Sequence, residues 1–271
     1  MKATIKYIFI YIALTIAGFF LLAGICKLAA MCIPGYTFVP SDIMENSLLY
    51  TIAIVIGSQL SVMYVFWKRK YASYSFKFNY QFGENFSSKK LYLWAAVAAV
   101  GCFIFDTMLL QVFPIIDDWN IAIFGNPEPD TEFSFIDLIS GCILAPLAEE
   151  AVFRGAIERR LLEKKWNPWY AIIISAVLFA AFHLNLYTFF SAFAILVGWV
   201  YYRTRSIWPG ILIHATFNTI AFDVDSSLSL GISIPLLLVG ATILYFSVKQ
   251  IAAITRDRTP ITLPEPTAEP Q

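Results

Sequence analysis

The sequence predicts an all-α fold, a polytopic membrane bundle of about eight transmembrane helices, and three observations predict it. Of its 271 residues, 59% are hydrophobic and only 14% charged, whereas soluble domains are about half apolar and a quarter charged. Apolar runs long enough for a spanning helix, roughly 17–25 residues, recur along the chain. The connections between those runs alternate in charge. An aromatic content of 17% suits a chain with many water–lipid boundaries.

The runs fall at about 7–26, 48–67, 91–113, 134–157, 168–187, 188–202, 207–222 and 231–248. Lys2 and Lys6 precede the first as they would a signal peptide, but no small-residue cleavage site follows, so a retained helix is expected. The sixth run is short, and the uncharged link "LNLYTFFS" before it leaves either a tight hairpin or a re-entrant pair. The connections "KRKYASYSFKFNYQFGENFSSKK", "ERRLLEKK", "RTR" and "KQIAAITRDR" are basic, while "SDIMEN", "DDWNIAIFGNPEPDTE" and "FDVDSS" are not. Lys/Arg enrichment marks the cytoplasmic side, so both termini are expected there. Four parts follow: helices one to three with their loops (1–133), a central core of helices four to seven (134–222), a last helix (223–254), and a proline-rich, disordered cytoplasmic tail (255–271).

Nineteen basic and nineteen acidic residues cancel, which removes the electrostatic basis for a nucleic-acid partner. The expected partners are the lipid bilayer and a peptide or membrane-protein substrate. Cys26, Cys32, Cys102 and Cys142 lie in or beside apolar runs without metal-binding spacing, and read as free thiols. Asp106, a lone acid in the third run, is assigned to helix packing.

The fourth run contains "LAPLAEEAVFRGAIERR". A charge at the bilayer centre costs about 2.5–3.5 kcal/mol on insertion scales, so Glu149, Glu150 and Arg154 must be paired or hydrated. Glu150 and Arg154 are i,i+4 with the acid first, the favourable order. Glu149 lies about 100° around the helix and is left facing elsewhere. Desolvation strengthens an unpartnered carboxylate as a base, which suits general-base work. Pro146, one turn earlier, removes a backbone donor and kinks the helix, making room for water.

The chain's two histidines both lie in apolar runs, where histidine is costly and marks function. His183 ends "FAAFH" with Phe179 at i−4. His214 opens "HATFN" with Asn218 at i+4, an imidazole and a carboxamide able to face one substrate carbonyl. At 1.5 Å per residue, Glu149 is about 13 Å from the basic end of its helix, His214 about 9 Å beyond Trp208 and His183 about 20 Å beyond Tyr170. Glu149 and His214 thus match in depth, and His183 stands several ångströms deeper.

Together "EEAVFR", "FAAFH" and "HATFN" resemble the EExxxR, FxxxH and HxxxN motifs of the CAAX-protease and bacteriocin-processing (CPBP, or abortive-infection) family of intramembrane proteases, which includes the prenyl-protein endopeptidase of eukaryotes. The resemblance covers about residues 134–222. It implies an endopeptidase acting near the cytoplasmic side of the membrane. Glu149 would activate water together with His183, Glu150 and Arg154 would orient the site, and His214 and Asn218 would stabilise the oxyanion. It also leaves two chemistries open: a zinc ion held by Glu149, His183 and His214, or a metal-free glutamate mechanism. The absence of HExxH and the carboxamide after the last histidine favour no cofactor.

Two other classes compete. Family members carry immunity roles, so a non-catalytic immunity or scaffold protein would keep the same residues. A transporter would use them as a proton relay, but matching interrupted repeats are not found. Short loops and no organelle retrieval signal fit a bacterial plasma membrane.

Overall fold

The computed structural model describes residues 13, 16–18, 20–28, 52, 88–125, 135–163, 165–183, 185–221 and 228–257. About half of the first expected span lies among these residues and is helical, while the second span, the link between them and the proline-rich tail fall almost wholly outside. Every regular element among the described residues is helical, as the composition requires, and the fold is an all-α membrane bundle.

Among the described residues two helices are long and apolar enough to cross a membrane: α1 (Lys89–Val112) and α10 (Leu230–Ile254). They run antiparallel in close contact, and glycine explains how close. A Cβ built on Gly101 would lie 2.8 Å from the backbone nitrogen of Leu244, and one on Gly240 would lie 2.6 Å from that of Phe105. With no cost in side-chain burial to separate membrane helices, small residues at such crossings let backbones pack directly.

Between α1 and Phe135 the sequence shows an acidic connection, and the structure places a helix inside it. Pro114 starts α2 (Ile115–Phe124), with Asp117 and Asp118 in its first turn, where carboxylates complement the helix dipole. Asn120 Oδ1 accepts the backbone N–H of Leu186 at 2.8 Å, and Tyr187 Oη donates to Asp117. Ile115, Trp119, Ile123 and Phe124 stay exposed.

The expected fourth span is helical throughout but not regular. It runs as α3 (Phe135–Ile139), a π turn (Ser140–Leu144), α4 (Ala145–Val152), a second π turn (Phe153–Glu158) and α5 (Arg159–Glu163). Pro146 accounts for the first interruption. Ala145 N–H bonds back to Ser140 O, a five-residue step. The next such step would bond Gly141 O to the nitrogen of Pro146, which has no hydrogen. Gly141 O is therefore free, and Asn218 Nδ2 donates to it at 2.8 Å from another helix. In the second π turn Ser175 Oγ donates to Phe153 O at 3.0 Å in the same manner.

The expected fifth and sixth spans form a helical hairpin, one of the two arrangements that the sequence left open: α6 (Pro168–His183), a short α7 (Leu186–Phe190) and α8 (Phe193–Thr204). Asn185 caps α7 by accepting from Thr188 N at 2.9 Å. Asp106 of α1 caps α8 from across the bundle, accepting from Ser191 Oγ, Ala192 N and Phe193 N at 2.5, 2.8 and 3.3 Å. The packing role read for Asp106 is thus an inter-helix N-cap. The seventh run is α9 (Trp208–Ala221).

Charged ends sort to opposite ends of the bundle. Arg203 Nε donates to Thr255 Oγ1 and its Nη2 to Ala252 O, both at 3.0 Å, which joins the end of α8 to the end of α10. At the other end Leu228 N–H, just before α10, donates to Gln111 Oε1 near the end of α1. The starts of α1, α6 and α9 therefore share the Lys/Arg-rich end, while α2 and α7 lie at the opposite one.

Candidate active site

The fourth-span helix, α6 and α9 bring the expected residues together. Arg154 is wholly buried, and its Nη1 donates to Glu150 Oε1 at 3.1 Å. Its Nη2 donates to Ala194 O at 3.0 Å, and its guanidinium lies 4.9 Å from the Phe179 ring centroid. The same Glu150 oxygen meets His214 Nδ1 at 2.9 Å. Glu150, itself without exposed surface, thus joins Arg154 to His214, a link the i,i+4 spacing alone did not reveal.

Glu149 faces away from that pair, as its position around the helix requires. Its Oε2 lies 3.8 Å from His183 Nε2 and 3.7 Å from His214 Nε2, and has no hydrogen-bond partner. Ring tautomers follow from the other nitrogens. His183 Nδ1 lies 2.9 Å from Phe179 O, which can only accept, so Nδ1 carries the hydrogen. His214 Nδ1 faces a carboxylate and does the same. In the neutral rings both Nε2 lone pairs then point toward Glu149 Oε2. Three acceptors converge on one small volume, which calls for a proton, a water or a cation between them.

Depth counting left His183 beyond the other two. It assumed that the helices start at one level and stand parallel, yet His183 Nε2 lies 3.8 Å from Glu149 Oε2. Asn218 is used in part differently from the sequence expectation, since one amide hydrogen goes to Gly141 O. Its second amide hydrogen remains, and Asn218 lines the same cavity as Glu149, His183 and His214. That cavity has a volume of about 480 Å³.

Sequence reasoning missed Glu158, read there as part of a basic helix end at the interface. It is wholly buried, with neither carboxylate oxygen hydrogen-bonded. A Cβ on Gly198 would lie 2.9 Å from its Oε2. The signal was present in the i, i+4, i+8 spacing of Glu150, Arg154 and Glu158, which puts three charges on one helix face.

The donor types fit a metal. Two neutral histidines with Nδ1 engaged and one carboxylate are a His₂Glu set with its outer hydrogen bonds in place. As they stand, however, the described residues offer no group of three His, Cys, Asp or Glu side chains arranged to hold an ion.

Comparison with known proteins meets this geometry at the same residues. Residues 131–220 match the family model described as "Type II CAAX prenyl endopeptidase Rce1-like". The three-motif resemblance holds. All six site residues lie inside this Rce1-like segment. The chain is 24% identical over 189 residues to "Putative membrane peptidase YdiL" of Bacillus subtilis (strain 168), covering 53% of this chain and 77% of that one. It is 31% identical over 91 residues to "UPF0177 protein YaiH" of Lactococcus lactis subsp. lactis (strain IL1403), covering 32% of this chain and 37% of that one. No solved structure matches. The Rce1-like match covers about a third of the chain and contains the whole candidate site.

Proposed function

We propose that the chain is an intramembrane endopeptidase in which Glu149 activates a water for attack on a peptide carbonyl. The observation that carries this reading is the convergence of His183 Nε2 and His214 Nε2 on the unpartnered Glu149 Oε2. A water seated there donates one hydrogen to Glu149 and is aligned by His183. Glu149 takes the proton as oxygen attacks, and passes it to the departing amine. His214, protonated on Nε2 and held through Nδ1 by Glu150, donates to the forming oxyanion together with the second N–H of Asn218. Arg154 offsets the Glu150 charge and fixes its orientation. The surrounding helices exclude bulk solvent, which strengthens these interactions.

Glu149, His183 and His214 are also the side chains that would hold a zinc ion, which would polarise the scissile carbonyl. With zinc held there His214 Nε2 would be a ligand, so the oxyanion donation assigned to it belongs to the metal-free reading. The family resemblance implies a site near the cytoplasmic side of the membrane.

The test is a mass-spectrometric census of new peptide ends in membranes carrying the native chain or Glu149→Gln at equal abundance. Ends that need Glu149 support hydrolysis. Matching profiles, with the host phenotype kept by the variant, would select the immunity or scaffold reading.

A further inference from the structure

The two directions out of Glu149 differ in kind. Toward the Lys/Arg-rich end lies packed protein: Phe153, Arg154, Ile157, Glu158, Leu161 and Val197 are each 2% exposed or less. Gly198 and Gly210 stand against the Glu158 and Glu150 carboxylates so tightly that a Cβ would lie 2.9 and 3.4 Å from them. Among the described residues this layer is closely packed around both carboxylates. Pro146, expected to open a route for water, is itself buried and acts instead by freeing Gly141 O.

In the other direction the cavity continues. Beyond Glu149 and the histidines it is lined by Thr107, Leu110 and Gln111 near the end of α1, by Thr188 and Ser191 around α7, and by Ala221 at the end of α9. All of these lie toward the ends of their elements remote from the basic residues. His183 and Glu149 keep 33% and 18% of their side-chain surface exposed on this side, against 4% for His214 beneath them.

We infer that peptide reaches the site from the bundle end opposite the Lys/Arg-rich helix termini, which by the positive-inside rule is the outer face of the membrane. The inference rests on the protease reading and names its substrate class: an extended peptide segment presented outside the cytoplasm, with an apolar side chain set against Phe103, Phe193 and Phe217. A cytoplasmic C-terminal tail meets the closed end. This departs from the cytoplasmic-side placement that the family resemblance implies.

Access can be read without turnover. In a chain freed of its native cysteines, single cysteines are introduced as Thr107→Cys or Ala221→Cys in the cavity and Arg256→Cys at the exposed basic end. Each is exposed to a membrane-impermeant maleimide in intact cells and in inverted vesicles. The cavity cysteines should label from the side on which Arg256→Cys does not, and that side should be the cell exterior. Labelling of both cavity positions from the Arg256 side, from both sides or from neither would overturn the inference. If Thr107→Cys lowers the amount of folded protein, the exposed Ala221 position decides. Failure here leaves Glu149-dependent cleavage untouched, and failure of that cleavage leaves the direction of the cavity untouched.

Discussion

At the scale of single residues, the site is built on one buried carboxylate shared by two partners. Glu150 receives Arg154 and His214 on the same oxygen, at 3.1 and 2.9 Å. Removing one member of a buried ion pair leaves the other uncompensated, at a cost of about 3–5 kcal/mol. Arg154→Ala should therefore lower thermal stability in detergent sharply, with activity lost through unfolding. Glu149 differs, because it is partly exposed and its Oε2 has no hydrogen-bond partner. Glu149→Gln should leave the melting temperature nearly unchanged while lowering the hydrolysis rate by about 10²–10⁴-fold, the usual worth of a general base. Parallel melting and cleavage measurements on both variants separate the two roles.

At the scale of elements, the π turn before Pro146 is the most informative local feature. The missing proline N–H frees Gly141 O, and Asn218 fills it from α9. Asn218→Ala should cost about 1–3 kcal/mol by leaving a carbonyl unsatisfied. Pro146→Ala restores the backbone donor, so Asn218→Ala should cost less in that background. A double-mutant cycle on thermal stability reads the coupling, and strict additivity would contradict it. The α1–α10 crossing gives a second expectation. Gly240→Ala places a methyl 2.6 Å from a backbone nitrogen, and overpacking of this kind costs about 1–3 kcal/mol. The loss should appear as a lower melting temperature with the cleavage pattern unchanged.

At the scale of the whole molecule, the sequence made some things legible because they depend on composition and local periodicity. The all-α membrane class, the Glu150–Arg154 pair and a Glu149 that faces away from that pair follow from apolar run length and helical angle, and the structure agrees. What was hidden depends on neighbours distant in the chain. Asp106 is a lone acid until Ala192 and Phe193 present their N–H groups 86 and 87 residues away. The α2 helix hid because two aspartates in a first turn look like a polar loop. Glu158 hid inside a basic-looking run, and its burial depends on Gly198 lying opposite. Which end of the bundle is open is likewise a property of packing between helices, not of any one of them.

The account's central claim is that Glu149, between two histidines, is a hydrolytic centre. The direct measurement uses the purified chain in lipid nanodiscs, supplied with peptides and membrane-protein fragments in water enriched in heavy oxygen. New C-termini are then read by mass spectrometry. The account predicts heavy-oxygen C-termini with the native chain and their loss with folded Glu149→Gln. Equal labelled termini from both, or none from the folded native chain with any fragment supplied, would contradict it.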